Sequence, residues 1–251
     1  MRLLEPEINL ASGNSLSSSE TKSRDMASTL RAKIKIWDLP TRLAHWLVVL
    51  LLLALWATAH FHMLNWHDRL GYLLLALLIF RLYWGICGSS TARFGSFLRG
   101  PRSLINYACA SLVRKTQHMD IGHNPIGGWS VLILISLMLL QVGLGLFSVD
   151  IDGLDSGPLS TFVPFDLGRR IAHLHHTVFN VLLVFACAHI AAVLYYLIVL
   201  RRNLITPMIT GSAEILETAR ERASNPIFAS WQRLSVGIVI AVALTSAIVL
   251  L

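Results

Sequence analysis

Long apolar runs alternate with polar segments along most of this chain. The runs cover about residues 43–64, a second stretch ending near Gly88, then 127–147, 171–200 and 231–251. Each reaches about 20 residues or more, the length a helix needs to cross roughly 30 Å of hydrocarbon. Pro40 suits the entrance of the first helix, and Trp37 and Trp46 suit a membrane interface. Only the short polar link 65–68 separates the first two runs, so they form an antiparallel pair. Residues 89–126 read as a polar, basic loop, and 149–166 (VDIDGLDSGPLSTFVPFD) as an acidic loop rich in turn residues. Residues 1–30 hold no apolar run and are expected to be disordered. The pattern predicts an all-α integral membrane bundle of four core helices plus a fifth, carboxyl-terminal one. Its expected parts are a disordered cytoplasmic extension over 1–33, a four-helix domain over 34–212, and a cytoplasmic linker with the fifth helix over 213–251.

Composition agrees. The 251 residues are 55% hydrophobic and 14% charged, with a mean hydropathy of +0.62, where soluble domains carry about 25% charged residues. The net charge of +7 does not require a nucleic-acid partner, because basic residues between apolar spans mark cytoplasmic loops. The basic residues lie before the first span (Arg31, Lys33, Lys35 and Arg42 among them), in the second-to-third loop (Arg93, Arg99, Arg102, Arg114, Lys115) and after the fourth span (Arg201, Arg202, Arg220, Arg222). The third-to-fourth loop has Arg169 and Arg170 against four aspartates. This places the amino terminus in the cytoplasm and the carboxyl terminus outside. Cys87, Cys109 and Cys187 form neither CxxC nor CxxCH, which argues against a zinc site and against covalently attached haem.

The fourth run carries His173, His175, His176 and His189. A histidine inside a membrane helix is costly unless paired or bound. At 100° per residue His175 and His189 lie within ~40° of one face and ~21 Å apart, whereas His176 is ~140° and His173 ~160° from His189. With the topology above, His45 opens the first span at the cytoplasmic side and His67 opens the second at the external side. The pairs matched in depth are His45 with His189 and His67 with His175. Two neutral imidazoles on different helices suit a flat macrocycle bound on both axial positions, and suit zinc less well because no third ligand accompanies either pair. His60, His62, His118, His123 and His173 lack this consistency, and His176 is the substitute should the helix register differ by one. Arg81, 14 residues after His67, returns to the same helix face at the depth of the cytoplasmic pair. Two readings of it stand level: a partner for haem propionates, as also for Arg42 one turn before His45, or a side chain snorkelling to headgroups. Gly127, Gly128, Gly143 and Gly145 in the third span read as packing positions.

The stretches IWDLPTRLAHW, HDRLGYLLLALLIFRLYWGICGSSTARF, GPLS and LHHTVFNVLLVFACAHIAAVLYYLIVLRRNLITPMITG resemble the bacterial cytochrome b561 family. That family includes the cytochrome b subunits of nickel-iron hydrogenases and related membrane dehydrogenases. The resemblance covers about residues 34–212. It implies two non-covalent b haems in a bacterial inner membrane, and electron transfer between a redox partner, such as a cytochrome c or a dehydrogenase or hydrogenase subunit, and membrane quinone. The family's ligand histidines fall on His45, His67, His175 and His189. The acidic residue that often follows the first ligand of the fourth helix is His176 here. The resemblance leaves two roles open, a free electron carrier or the cytochrome b subunit of a quinone-linked oxidoreductase, and a homodimer is compatible with either. The rival classes are a non-redox membrane anchor or assembly subunit, and a metal-handling membrane protein with histidine-lined sites.

Overall fold

The computed structural model describes residues 31–98, 100, 102, 105, 125–150, 156–216 and 225–251. In chain order they form β1 (Arg31–Lys35), α1 (Leu39–His60), α2 (Leu64–Cys87), α3 (Phe94–Phe97), α4 (Pro125–Phe147), a 3-10 turn (Ser160–Phe162), α5 (Phe165–Ile198), α6 (Ile205–Thr210), β2 (Ser212–Leu216) and α7 (Trp231–Val249). Five helices, α1, α2, α4, α5 and α7, are long and apolar enough to cross a membrane. The protein is an all-α, multi-pass membrane bundle.

The helix starts and the first turn differ from the sequence expectation in instructive ways. Helix α1 begins four residues earlier than the hydrophobic run, because Asp38 caps it: its Oδ1 accepts the Thr41 backbone N–H at 2.9 Å. The link between α1 and α2 is Phe61–Met63 rather than 65–68. His62 adopts φ 54°, a left-handed conformation that histidine tolerates better than most side chains. The polar residues Asn65 and Asp68 then sit in the first turns of α2. Helix α5 starts six residues before the expected 171. Its 34 residues measure about 51 Å, so it tilts or projects beyond the hydrocarbon layer.

The described residues divide into two compact units, one of 31–34 with 213–216 and 225, the other of the rest. The smaller is the two-stranded β1–β2 ribbon. Arg31–Lys35 is therefore a strand, although the sequence reading placed 31–33 in an unstructured extension. The alternation Arg-Ala-Lys-Ile-Lys carries a strand's period of two, with Ile34 buried and Lys33 exposed. The extension expected over 1–30 lies outside the described residues.

In the larger unit α2 is the central helix. It packs on α1, α4 and α7, while α5 packs on α4 and meets α1 and α2 at most in passing. The core joins Leu51 and Leu55 of α1, Leu74, Leu75 and Leu78 of α2, Ile135, Met138 and Val142 of α4, and Leu182 of α5. Lipid tails are as apolar as leucine, so van der Waals packing rather than escape from water holds this core together. Polar contacts add the specificity. Trp84 Nε1 donates to Asp38 Oδ2 at 2.9 Å, tying the end of α2 to the start of α1. Ser89 Oγ accepts the Ala229 N–H at 3.0 Å, and Thr91 Oγ1 donates to the Ile36 carbonyl at 2.7 Å. The segment that follows α2 is thereby fastened both to the approach to α7 and to the stretch before α1.

Candidate functional site

Helices α2 and α5 bring two of the four histidines face to face, and α1 and α5 carry the other two. At one end, His67 from the first turn of α2 faces His175 of α5, with ring centroids 6.3 Å apart and planes at 80°. Two metal–imidazole bonds of about 2 Å, with ring radii of about 1.1 Å, span such a separation. His67 Nδ1 lies 3.0 Å from the Leu55 carbonyl, with Thr58 Oγ1 at 3.4 Å. His175 Nδ1 lies 2.9 Å from the Gln141 carbonyl. A carbonyl only accepts, so both Nδ1 atoms carry the hydrogen and Nε2 keeps the lone pair. That is the tautomer a metal-binding imidazole needs.

The close approach of His175 to α4 depends on Gly145, one turn after Gln141. A Cβ there would meet His175 Cε1 at 3.2 Å and Nδ1 at 3.4 Å. The GPLS turn contributes nearby: Gly157 packs on the backbone carbonyls of Gly145 and Leu146, and its N–H donates to the Ser148 carbonyl at 2.9 Å. The Gln141 side chain is buried, and its Oε1 has no hydrogen-bond partner.

At the other end, His45 of α1 and His189 of α5 lie within electrostatic reach of each other. Ser130 Oγ stands 3.3 Å from His189 Nδ1. His45 Nδ1 is buried without a hydrogen-bond partner, and its ring stands edge-on to Trp46. Arg42 Nη1 donates to the Ile209 carbonyl, while its Nε is buried with no partner. Trp46 Nε1 reaches the Met208 carbonyl at 3.3 Å, so α1 holds the segment after α5 at two points. Arg81 has local partners: Nη1 donates to the Ala92 carbonyl at 3.3 Å, and the guanidinium lies 5.0 Å from the Phe94 ring centre.

The other histidines stand apart. His176 is exposed on α5, as are His60, His62 and His173, and His60 stacks on Trp56 at 5.5 Å. His118 and His123 lie outside the described residues. Among the described residues no three His, Cys, Asp or Glu side chains converge as a metal cage. Each pair joins one imidazole of α5 to one of α1 or α2, so a group held there would have two histidine ligands from different helices.

Sequence reasoning missed the groups that orient these rings. Gln141 carried a signal, because a lone amide in a membrane span is costly like a histidine. Asp38, which orients no histidine but ties α1 to α2, carried one too, as a helix-capping residue three before Thr41. Ser130 and the carbonyls of Leu55 and Gln141 carry none, since serine is ordinary in membrane helices and every residue has a carbonyl.

The profile of the prokaryotic cytochrome b561 family matches residues 36–211, from the residue before Trp37 to the end of the segment that α1 holds. The chain belongs to the prokaryotic cytochrome b561 family. It is similar to a probable Ni/Fe-hydrogenase B-type cytochrome subunit of Rhizobium leguminosarum bv. viciae, with 25% identity over 212 residues, covering 72% of this chain and 89% of the relative. No solved structure matches it. As a b561-type cytochrome the protein is a membrane electron-transfer protein that uses haem b. All four paired histidines, Arg42 and Arg81 fall within the matched span, whereas β2 and α7 fall after it.

Proposed function

We propose that this cytochrome holds two b haems, one between His67 and His175 and one between His45 and His189, and carries electrons between an external redox partner and membrane quinone. The observation that carries the reading is the His67–His175 arrangement, two rings from different helices 6.3 Å apart, each with Nδ1 directed to a helix carbonyl. Haem, when bound, supplies the one-electron iron chemistry. The protein's part is to orient each Nε2, exclude water with apolar helices and offset anionic haem substituents. Arg42 is suited to the last task, because its buried Nε has no partner in the protein. Arg81, engaged with Ala92 and Phe94, adds positive charge at the same end.

The basic loops support an inner-membrane orientation with the amino terminus in the cytoplasm, so the His67–His175 pair lies towards the outer face. The name of the Rhizobium relative supports a hydrogenase or similar dehydrogenase subunit as donor. Either reading, one chain per donor or a homodimer, is compatible with the exposed apolar faces of α5 and α7.

Quantifying haem against protein, with a reduced-minus-oxidised spectrum, tests the proposal. Two b-type haems per chain are expected, falling to one in His189→Ala. A ratio of one in the unaltered protein, or no b-type band, would sink it.

A further inference from the structure

Helix α7 lies beyond the residues that match the family, which end at 211, and it packs on α2. Its buried residues Gly237, Ala241 and Thr245 recur every four positions and so form one stripe of the helix. Gly237 sits against Tyr83, whose ring a Cβ there would meet at 2.6 Å. Further along the stripe, where the end of α7 meets the start of α2, lies a cavity of about 270 Å3 lined by Tyr72, Thr245, Ser246, Val249 and Leu250. Tyr72 comes five residues after His67, hence ~140° round α2 from it, so this cavity opens on a different helix face from the histidine pair.

Thr245 is only 8% exposed, yet its Oγ1 has no hydrogen-bond partner. A threonine in a helix ordinarily bonds the carbonyl one turn back, and within lipid no water replaces that bond. A buried hydroxyl left unpaired on the wall of a cavity is a place for a ligand's polar atom. Three hydroxyl-bearing side chains, Tyr72 on α2 and Thr245 and Ser246 on α7, stand among apolar ones. No cationic side chain lines the cavity, and Asp68, one turn before Tyr72, lies within electrostatic reach of it. An anionic headgroup is therefore disfavoured, and a neutral carbonyl compound suits the site. The volume falls below the roughly 300–1,000 Å3 of sites for drug-sized ligands, which fits a single ring.

We propose that the cleft between Tyr72 and Thr245 binds the ring of a membrane quinone, with its tail left in the lipid. A quinone carries carbonyls at opposite ends of one ring, so one reaches the hydroxyls of α7 and the other that of α2. The ester carbonyls of a diacyl lipid share the chemistry but lie side by side on one glycerol. The inference rests on the quinone part of the proposed function and gives it a place, built by a helix outside the family match.

Photolabelling the protein in detergent with a short-tailed azido-benzoquinone, followed by peptide mapping, tests it. Label is expected around Tyr72 and around Thr245–Leu250, displaced by unlabelled benzoquinone and not by phosphatidylcholine. Thr245→Val, which keeps the side-chain shape and removes the hydroxyl, is expected to weaken benzoquinone binding about tenfold, and Thr245→Ser to restore it. Should Thr245→Val not fold, Tyr72→Phe serves, with the same weakening expected. Label confined to other segments, or binding unchanged in these variants, overturns this site and leaves the quinone reading standing. Displacement by phosphatidylcholine overturns it in favour of a lipid ester. No saturable labelling anywhere in the chain would sink the quinone reading and this inference together.

Discussion

His67 and His175 stand edge to face across α2 and α5, with ring centroids 6.3 Å apart, and neither ring is free to turn. Each has its Nδ1 on the carbonyl of a different helix, Leu55 of α1 and Gln141 of α4. Four helices thus converge on one pair of imidazoles. That arrangement uses two backbone acceptors which no side-chain substitution removes, so the orientation of the pair is built into the helix packing itself.

The contrast between His175 and His176 gives a direct test. His175 faces His67, while its neighbour is exposed on α5. His175→Ala is expected to halve the haem content, measured as haem per chain, whereas His176→Ala is expected to keep both haems. The reverse outcome would mean that α5 is turned by about 100° from the orientation described.

Gly145→Ala separates the site from the fold. Alanine is favoured over glycine inside a helix by about 0.5–1 kcal/mol, yet its methyl would press on the His175 ring at 3.2 Å. Thermal stability is expected to change little, while the low-spin ferric signal of the His67–His175 site shifts in electron paramagnetic resonance. An unchanged signal would show that the ring has room to spare.

Asp38 serves two donors at once, the Thr41 N–H and the Trp84 indole, both at 2.9 Å and both buried. Asp38→Ala loses the helix cap and strands the indole N–H, a combined cost of about 2–4 kcal/mol. A fall in Tm of several degrees in detergent is the expected result, with Asp38→Asn intermediate because its amide supplies one acceptor in place of two. A variant as stable as the parent would mean that water replaces the carboxylate.

Orientation is open to reporter fusions. An alkaline-phosphatase reporter, active only outside the cytoplasm, is expected to be active after Leu251 and inactive at Gly100. The opposite pattern would invert the sidedness of both histidine pairs.

Much of this protein was legible in its sequence. Helical spans in a membrane are set by local composition, because every backbone N–H and C=O must be satisfied within the segment. That is why the five helices emerge within a few residues of the apolar runs, and why the phase of His175 against His189 could be read from spacing alone. Sequence and structure part where local composition is ambiguous: the polar residues 65–68 read as a link, although an interfacial helix turn accommodates them equally well. The strand at Arg31–Lys35 is another such case, since its pairing with Ser212–Leu216 spans most of the chain. What only the tertiary structure decided is which groups meet at the second nitrogen of each ring. The Leu55 and Gln141 carbonyls, the Ser130 hydroxyl and the bare Nδ1 of His45 arise from how helices pack, and packing between apolar helices in lipid leaves no periodic mark on the chain.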